Sequence, residues 1–327
     1  MVNTTPFAPF CIAPDLDSGL AELDLCLRRL YLPICSADGL PNILAADNSP
    51  ENISWLHSAY PHASVFEVSK PRLLAEFSHR FAARIADEAV NGLARSSPSL
   101  SARTVMTGAQ ALSFGMIASI AVAASLIWPN NACGVLAGLL SVGFVGGTLF
   151  RAALAWIGGR QRYASSSLTN DDVSLPVYTI LVPLYQEANV LPRLIRSLLL
   201  LDYPHDKLDI KLIVESDDTE TAVAADAMQE CGPFEVVRVP VGTPRTKPRA
   251  CNYAFKFTRG EFTVIYDAED RPERDQLRKA VEMFRTGPRD IACLQARLNF
   301  YNANENWLTR GIMAQTPPTA GQQWCCQ

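Results

Sequence analysis

Two long uncharged runs divide this chain and limit what it can become. Val105 to Trp128 covers 24 residues without a charge. As a helix it is about 36 Å long, enough to cross a hydrocarbon core of about 30 Å. Trp128 lies at its far end, where an interfacial aromatic belongs. Pro129-Asn130-Asn131 reads as a turn, and Cys133 to Phe150 gives a second uncharged run of 18 residues, extended past Arg151 by Leu154 to Ile157. The expectation is two transmembrane helices, about 105–128 and 133–157, within a 101–160 segment. Gly134, Gly138, Gly143, Gly146 and Gly147 would let the two helices pack closely.

Basic residues flank the pair on the outer ends only: Arg95 and Arg103 before it, Arg151, Arg160 and Arg162 after it. The positive-inside rule puts both soluble parts in the cytoplasm of a bacterium, with the protein multi-pass in the inner membrane. A net charge of -4 argues against nucleic acid as a partner, since backbone binding needs a cationic face. Nine cysteines include no C-x-x-C pair, so a zinc site or redox motif is not expected.

Residues 1–100 read as a small cytoplasmic α/β module. Helical spacing runs over Ala21–Tyr31 and over Pro71–Leu93, and Ala63–Val68 alternates as a strand. The stretch from Ala45 to Leu93 resembles the N-terminal domain of type II secretion ATPases, which in some relatives binds a cyclic dinucleotide. No Arg-rich motif here carries that role, and a docking module is expected instead.

From residue 175 the pattern alternates strand and helix. Strands are expected at Val177–Val182, Leu208–Val214, Phe234–Val239, Phe262–Tyr266 and Ile291–Leu298. Helices are expected at Val190–Leu201, Thr219–Cys231, Ala250–Phe257 and Gln276–Phe284. This βαβ series implies a doubly wound, mostly parallel α/β sheet over 175–313, followed by an irregular tail at 314–327.

Four local signals fall where such a sheet binds ligands, at strand ends and helix starts. Pro183-Leu184-Tyr185-Gln186-Glu187 follows the first strand. Glu215-Ser216-Asp217-Asp218 follows the second, and Asp218 is placed to cap the next helix. Lys247-Pro248-Arg249-Ala250-Cys251-Asn252 opens a helix, and Asp267-Ala268-Glu269-Asp270 ends the fourth strand. Hard carboxylate oxygens at a strand end suit Mg²⁺ or Mn²⁺ carrying a phosphorylated substrate.

In this order and spacing, the four signals resemble family 2 glycosyltransferases, in the membrane-bound branch that holds cellulose, hyaluronan and chitin synthases. The likeness covers about residues 177–311. It implies a GT-A-like fold, a UDP-sugar donor, Mg²⁺ or Mn²⁺, and a polysaccharide acceptor or partner subunit. It places Tyr185 and Glu187 near the uridine, Asp217 or Asp218 on the uracil, and Lys247 by the diphosphate. Asp267 is assigned to the nucleotide or the metal. Where the family usually has Asp, Glu269 stands one methylene longer. Either Glu269 reaches the metal from further back or Asp270 takes the role, with Glu269 preferred. Asn252 is expected to fix backbone, and Gln295 to face the cleft.

The family's catalytic base lies in a Thr/Ser-Glu-Asp motif and its polymer-binding signal is Gln-x-x-Arg-Trp. Neither is found in the residues after Asp270, and Gln323-Trp324 lacks the arginine. The expectation is an incomplete sheet with a donor-binding half only, in an N-terminal fragment whose base lies downstream of residue 327 and which is inactive alone. The competing reading is a non-catalytic membrane scaffold or sensor with a vestigial transferase domain.

Overall fold

The computed structural model describes residues 11–12, 20–35, 41–158, 172–288 and 290–295. They divide into two compact units. One combines the stretch up to Leu100 with the stretch ending at Arg278; the other joins the segment from Ser101 with the residues from Lys279 on.

In the first unit the N-terminal stretch forms a four-stranded sheet: β1 (Cys11–Ile12), β2 (Tyr31–Cys35), β3 (Pro41–Ala45) and β4 (Ser64–Glu67), in that order. Only β3 and β4 pair in parallel. Three helices accompany them: α1 (Leu20–Arg28), α2 (Pro50–Ala59) and α3 (Lys70–Ser96). Ser49 caps α2 by accepting the Asn52 N–H at 3.3 Å, and Pro50 occupies the first turn, where its missing N–H costs nothing. Along α3, Leu73, Leu74, Phe77, Phe81 and Ile85 are buried on one stripe, as their helical spacing dictates. The expected α1, β4 and α3 are present with shifted ends. The sequence reading passed over β1 to β3 and α2.

The chain then returns as a parallel sheet: β5 (Tyr178–Leu184), β6 (Leu208–Glu215), β7 (Phe234–Val239) and β8 (Phe262–Ile265), ordered β7-β6-β5-β8. Four helices interleave: α6 (Leu191–Leu199), α7 (Thr219–Met228), α8 (Lys247–Phe255) and α9 (Gln276–Thr286). Every residue of β6 is buried, because helices cover both faces of a parallel sheet. Asp290 to Gln295 holds no strand beyond one bridged residue, and the rest of the strand expected at Ile291–Leu298 lies outside the described residues. So does the 314–327 tail.

One face of this sheet meets the N-terminal stretch. Leu181, Ile213, Val237 and Val239 share a core cluster with Tyr253 of α8, with Phe257 just after it, and with Leu73, Phe77, Phe81 and Ile85 of α3. Each fully buried side chain of this size contributes roughly 1.5–3 kcal/mol. Polar contacts fix the seam: Asn252 and Lys256 each bridge segments distant in sequence. Asn252 donates to the Ala89 carbonyl at 3.0 Å, and Lys256 reaches Asp24 at 3.1 Å. The two soluble stretches therefore form one unit around a shared core.

At the amino end of the same face, Lys211 is fully buried between Asp209 and Glu235, 3.0 Å from each. Lys70, at the start of α3, donates to the other Glu235 oxygen at 2.7 Å. Asp209 also accepts from the Thr179 hydroxyl and from the N–H and Nε of Arg259, at 3.0, 3.0 and 3.1 Å. Gly260 is required there, since a Cβ would lie 2.4 Å from the Thr179 nitrogen. Burial alone would raise the Asp209 pKa, but Lys211 and Arg259 overcome it and hold the carboxyl below its ordinary range.

The second unit contains α4 (Gly108–Ile127) and α5 (Pro129–Gly158). Both are long and apolar enough to cross a membrane, and neither is buried against protein. Thr107 and Gln110 form a capping box on α4, and Trp128 ends it. Two expectations are corrected here. Pro129-Asn130-Asn131 is not a turn between helices but the first turn of α5, because proline is pre-organised for a helix start. The glycines of α5 do not mediate close packing: a Cβ at Gly134, Gly138, Gly143, Gly146 or Gly147 meets nothing within 4 Å. Two helices alone bury too little surface to close a seam along them.

Asp209→Asn is expected to cost roughly 3–5 kcal/mol at neutral pH, the range for breaking a buried pair. The folded pKa of Asp209 lies below its unfolded value, so its contribution is complete above the ordinary carboxylate range, near about 3.9, and is lost as pH falls through the folded value. Urea denaturation of wild type and variant is expected to show a constant gap from pH 7 to 5 that narrows below about pH 4. A gap that widens in acid would contradict the assignment.

Candidate functional site

The ends of β5 and β6 are sewn together by one carboxylate. Asp218 is the N-cap of α7 and accepts the Thr221 N–H at 3.2 Å through Oδ1. Its Oδ2 accepts the N–H of Gln186 at 2.5 Å. Gln186 has a φ of 57°, a left-handed turn that aims this N–H at Asp218. Thr221 adds a second stitch, its hydroxyl accepting from the Glu187 N–H at 3.2 Å. Burial would raise the Asp218 pKa, but these N–H donors bring it below the usual carboxylate value.

Asp217, one residue earlier, is exposed and pairs with Arg245. The Arg245 guanidinium also lies 4.8 Å from the centre of the Tyr185 ring, and its Nη1 is 3.3 Å from the Tyr185 hydroxyl. Tyr185, Gln186, Asn189, Asp217, Asp218 and Glu220 line a cleft of about 470 Å³. Beneath it, Arg249 of α8 is buried against Glu215 at 3.4 Å and donates to the Pro240 carbonyl. Burial pushes the Glu215 pKa up, with Arg249 opposing.

At the end of β8, Asp267 is exposed and pairs with Lys247. Asp270 folds back on its own loop, its Oδ2 accepting the Asp267 N–H at 2.8 Å. Burial raises the Asp270 pKa, and Lys247 works against that. Glu269 is exposed. Among the described residues no group of three or more His, Cys, Asp or Glu side chains is arranged to hold a metal ion. A magnesium-like ion takes one or two carboxylates and completes its shell with substrate phosphate and water. Asp267 with Glu269 or Asp270 would be the carboxylates to offer it, and among the described residues no all-protein cage is present.

Asp218 lines the cleft and accepts one backbone N–H on each oxygen. Glu187 is not among the residues that line the cleft. Helix α6 starts at Leu191, and the Glu187 carbonyl accepts from the Val190 and Leu191 N–H groups at 3.1 and 3.3 Å. Asn252 is architectural, but toward α3 and not toward its own loop. Gln295 is exposed. Arg245 was not singled out from the sequence: a lone arginine in a loop carries no periodic signal, and only the fold brings it to Tyr185 and Asp217.

Residues 179–325 match the profile described as Glycosyl transferase family 2. Over that stretch the chain is similar to a family 2 glycosyltransferase domain. Similar curated proteins include a beta-monoglucosyldiacylglycerol synthase of Trichormus variabilis, 29% identical over 143 residues, 43% of this chain and 30% of that protein. Another is the UDP-forming cellulose synthase catalytic subunit of Komagataeibacter sucrofermentans, 28% identical over 144 residues, 44% of this chain and 18% of that protein. The chain thus spans about a third or less of the length of these relatives. Among solved structures, a mannosyltransferase of Pyrobaculum calidifontis in complex with GDP-Man and Mn²⁺ is 27% identical, with a TM-score of 0.38 over 47% of this chain and 44% of that one. The transferase domain begins on β5 and takes in every strand end that builds the cleft.

Within the transferase domain the neighbouring acids should separate by phenotype. Asp218→Ala removes a helix cap and the Gln186 tether, and a cap alone is worth about 0.5–2 kcal/mol. It is expected to lower the thermal midpoint by several degrees. Asp217→Ala is expected to leave it within about a degree, since exposed ion pairs contribute little. Equal losses in a melting experiment would refute this division.

Proposed function

We propose that this chain is the donor side of a membrane-bound glycosyltransferase that takes a nucleotide sugar, most simply a UDP-sugar, for glycan or glycolipid synthesis. The family match over 179–325 supports the class of reaction. The observation that carries the reading is the cleft itself: an exposed aromatic ring and an exposed carboxylate at the ends of β5 and β6, with an acidic strand end on β8. The UDP-forming cellulose synthase among the relatives favours uridine.

Each residue's part follows from its chemistry. Tyr185 offers a flat ring to a base. Asp217 accepts from an imide N–H, a group that uracil has. Lys247 supplies positive charge to a diphosphate, as a compact ammonium does well. Asp267, with Glu269 or Asp270, would hold Mg²⁺ or Mn²⁺, which offsets charge on the departing nucleoside diphosphate when bound. Tyr185 and Asp217 orient the donor, which lowers the entropic part of the barrier.

The shared core supports a topology. β2 to α3 and β5 to β8 pack together, so both stretches lie on one side of any bilayer that α4 and α5 cross. Two crossings return the chain to the side it left. The arginines at 95, 103 and 151 support a cytoplasmic assignment for that side in a bacterial inner membrane.

Isothermal titration of the detergent-purified chain tests the reading. UDP with Mn²⁺ is expected to bind with micromolar affinity, to need the metal, and to lose at least tenfold in Asp267→Ala. No metal-dependent binding of UDP or GDP by wild type would sink the donor-site reading and favour a scaffold.

A further inference from the structure

Both acids that the donor cleft needs are already paired, and both partners come from one short segment. After β7 ends at Val239, the chain crosses the carboxyl ends of β6, β5 and β8 and enters α8 at Lys247. On the way Arg245 takes Asp217 and covers the face of Tyr185. Two residues later Lys247 takes Asp267. The segment is tied down at its base. Arg249 is 4% exposed, pairs with Glu215 and donates to the Pro240 carbonyl, which closes the loop on itself. The two cations that reach into the cleft are instead 40% and 46% exposed and free to swing.

We propose that Pro240 to Arg249 is a cationic strap that holds the place of the donor in the cleft: Arg245 stands on Tyr185 and Asp217 where a base belongs, and Lys247 stands on Asp267 where a divalent cation belongs. The inference rests on the donor-site reading above. Entry of the donor is an exchange of partners. The base takes the ring and the Asp217 oxygen, displacing Arg245 to solvent; the divalent cation takes Asp267, and the released Lys247 turns to the diphosphate. The charges close. Two carboxylates and two cations sum to zero, and a nucleotide sugar with about two negative charges arrives with a divalent cation. A metal ion alone would leave Lys247 unpaired beside it. A diphosphate alone would find Lys247 still held by Asp267. Each ligand therefore binds poorly without the other, and the coupling between them is a property of the strap.

The test is isothermal titration of the full chain in detergent, with UDP alone, Mn²⁺ alone, and UDP at saturating Mn²⁺, on wild type, Arg245→Gln and Lys247→Gln. Both substituted residues are exposed, and unchanged thermal midpoints confirm that the fold is intact. An exposed ion pair and an exposed cation–π contact compete by a factor of about three to ten. Arg245→Gln is expected to tighten UDP alone by that factor. Lys247→Gln is expected to tighten Mn²⁺ alone similarly, and to reduce the factor by which Mn²⁺ strengthens UDP. Weaker or unchanged UDP binding in Arg245→Gln, together with normal metal-dependent binding in wild type, would overturn the strap while leaving the donor site standing. Absence of UDP binding in wild type and both variants, with and without metal, would remove the donor site and the strap together.

Discussion

Parallel hydrogen bonding from β5 to β6 on one side and to β8 on the other forces the loops after all three strands to leave the sheet at the same edge. Nothing in the local sequence of 183–187, 215–218 or 267–270 requires these segments to meet. They meet because the strands before them share a direction. An antiparallel partner in any of the three places would send its acids to the opposite edge. The cleft is thus a consequence of register, and the register is fixed by burial on both faces of β5 and β6, where a one-residue slip would turn apolar side chains toward the wrong layer.

That burial has an unusual source. On one face the cover comes from α8 together with α3, a helix separated from the sheet in sequence by both apolar helices. The sheet cannot complete this layer from its own stretch of chain. Lys211, fully buried, is held by Asp209 within the sheet and by Glu235, which in turn binds Lys70 of α3. Charge and apolar packing therefore specify the same seam, and the two apolar helices lie in the chain between the two stretches it joins.

Much of this was legible in the residues. The strand–helix alternation from Val177, the two uncharged runs and the four strand-end signals were visible because each has a strong local pattern: continuous β-branched runs, absence of charge, acids after an apolar stretch. Asp218 as a cap was readable from its place before Thr219. Other features were hidden for physical reasons. β2 and β3 are short strands in a mixed sheet and lack strict alternation. The α3–α8 seam is a contact across more than 150 residues, beyond any window of periodicity. Arg245 has meaning only through Tyr185 and Asp217, which lie 60 and 28 positions away. The Asp218 bond to the Gln186 N–H joins segments 32 positions apart, and only coordinates supply it.

The central proposal is that carboxylates at the end of β8 hold a divalent cation and, through it, an activated sugar whose base lies at the ends of β5 and β6. The most direct measurement is an experimental structure of this chain with UDP and Mn²⁺, with the metal located by its anomalous scattering. The account predicts one manganese peak within coordination distance of Asp267, bridging to a diphosphate, with the uracil against Tyr185. A peak elsewhere, or a nucleotide bound away from the edge that carries Tyr185 and Asp217, would contradict it.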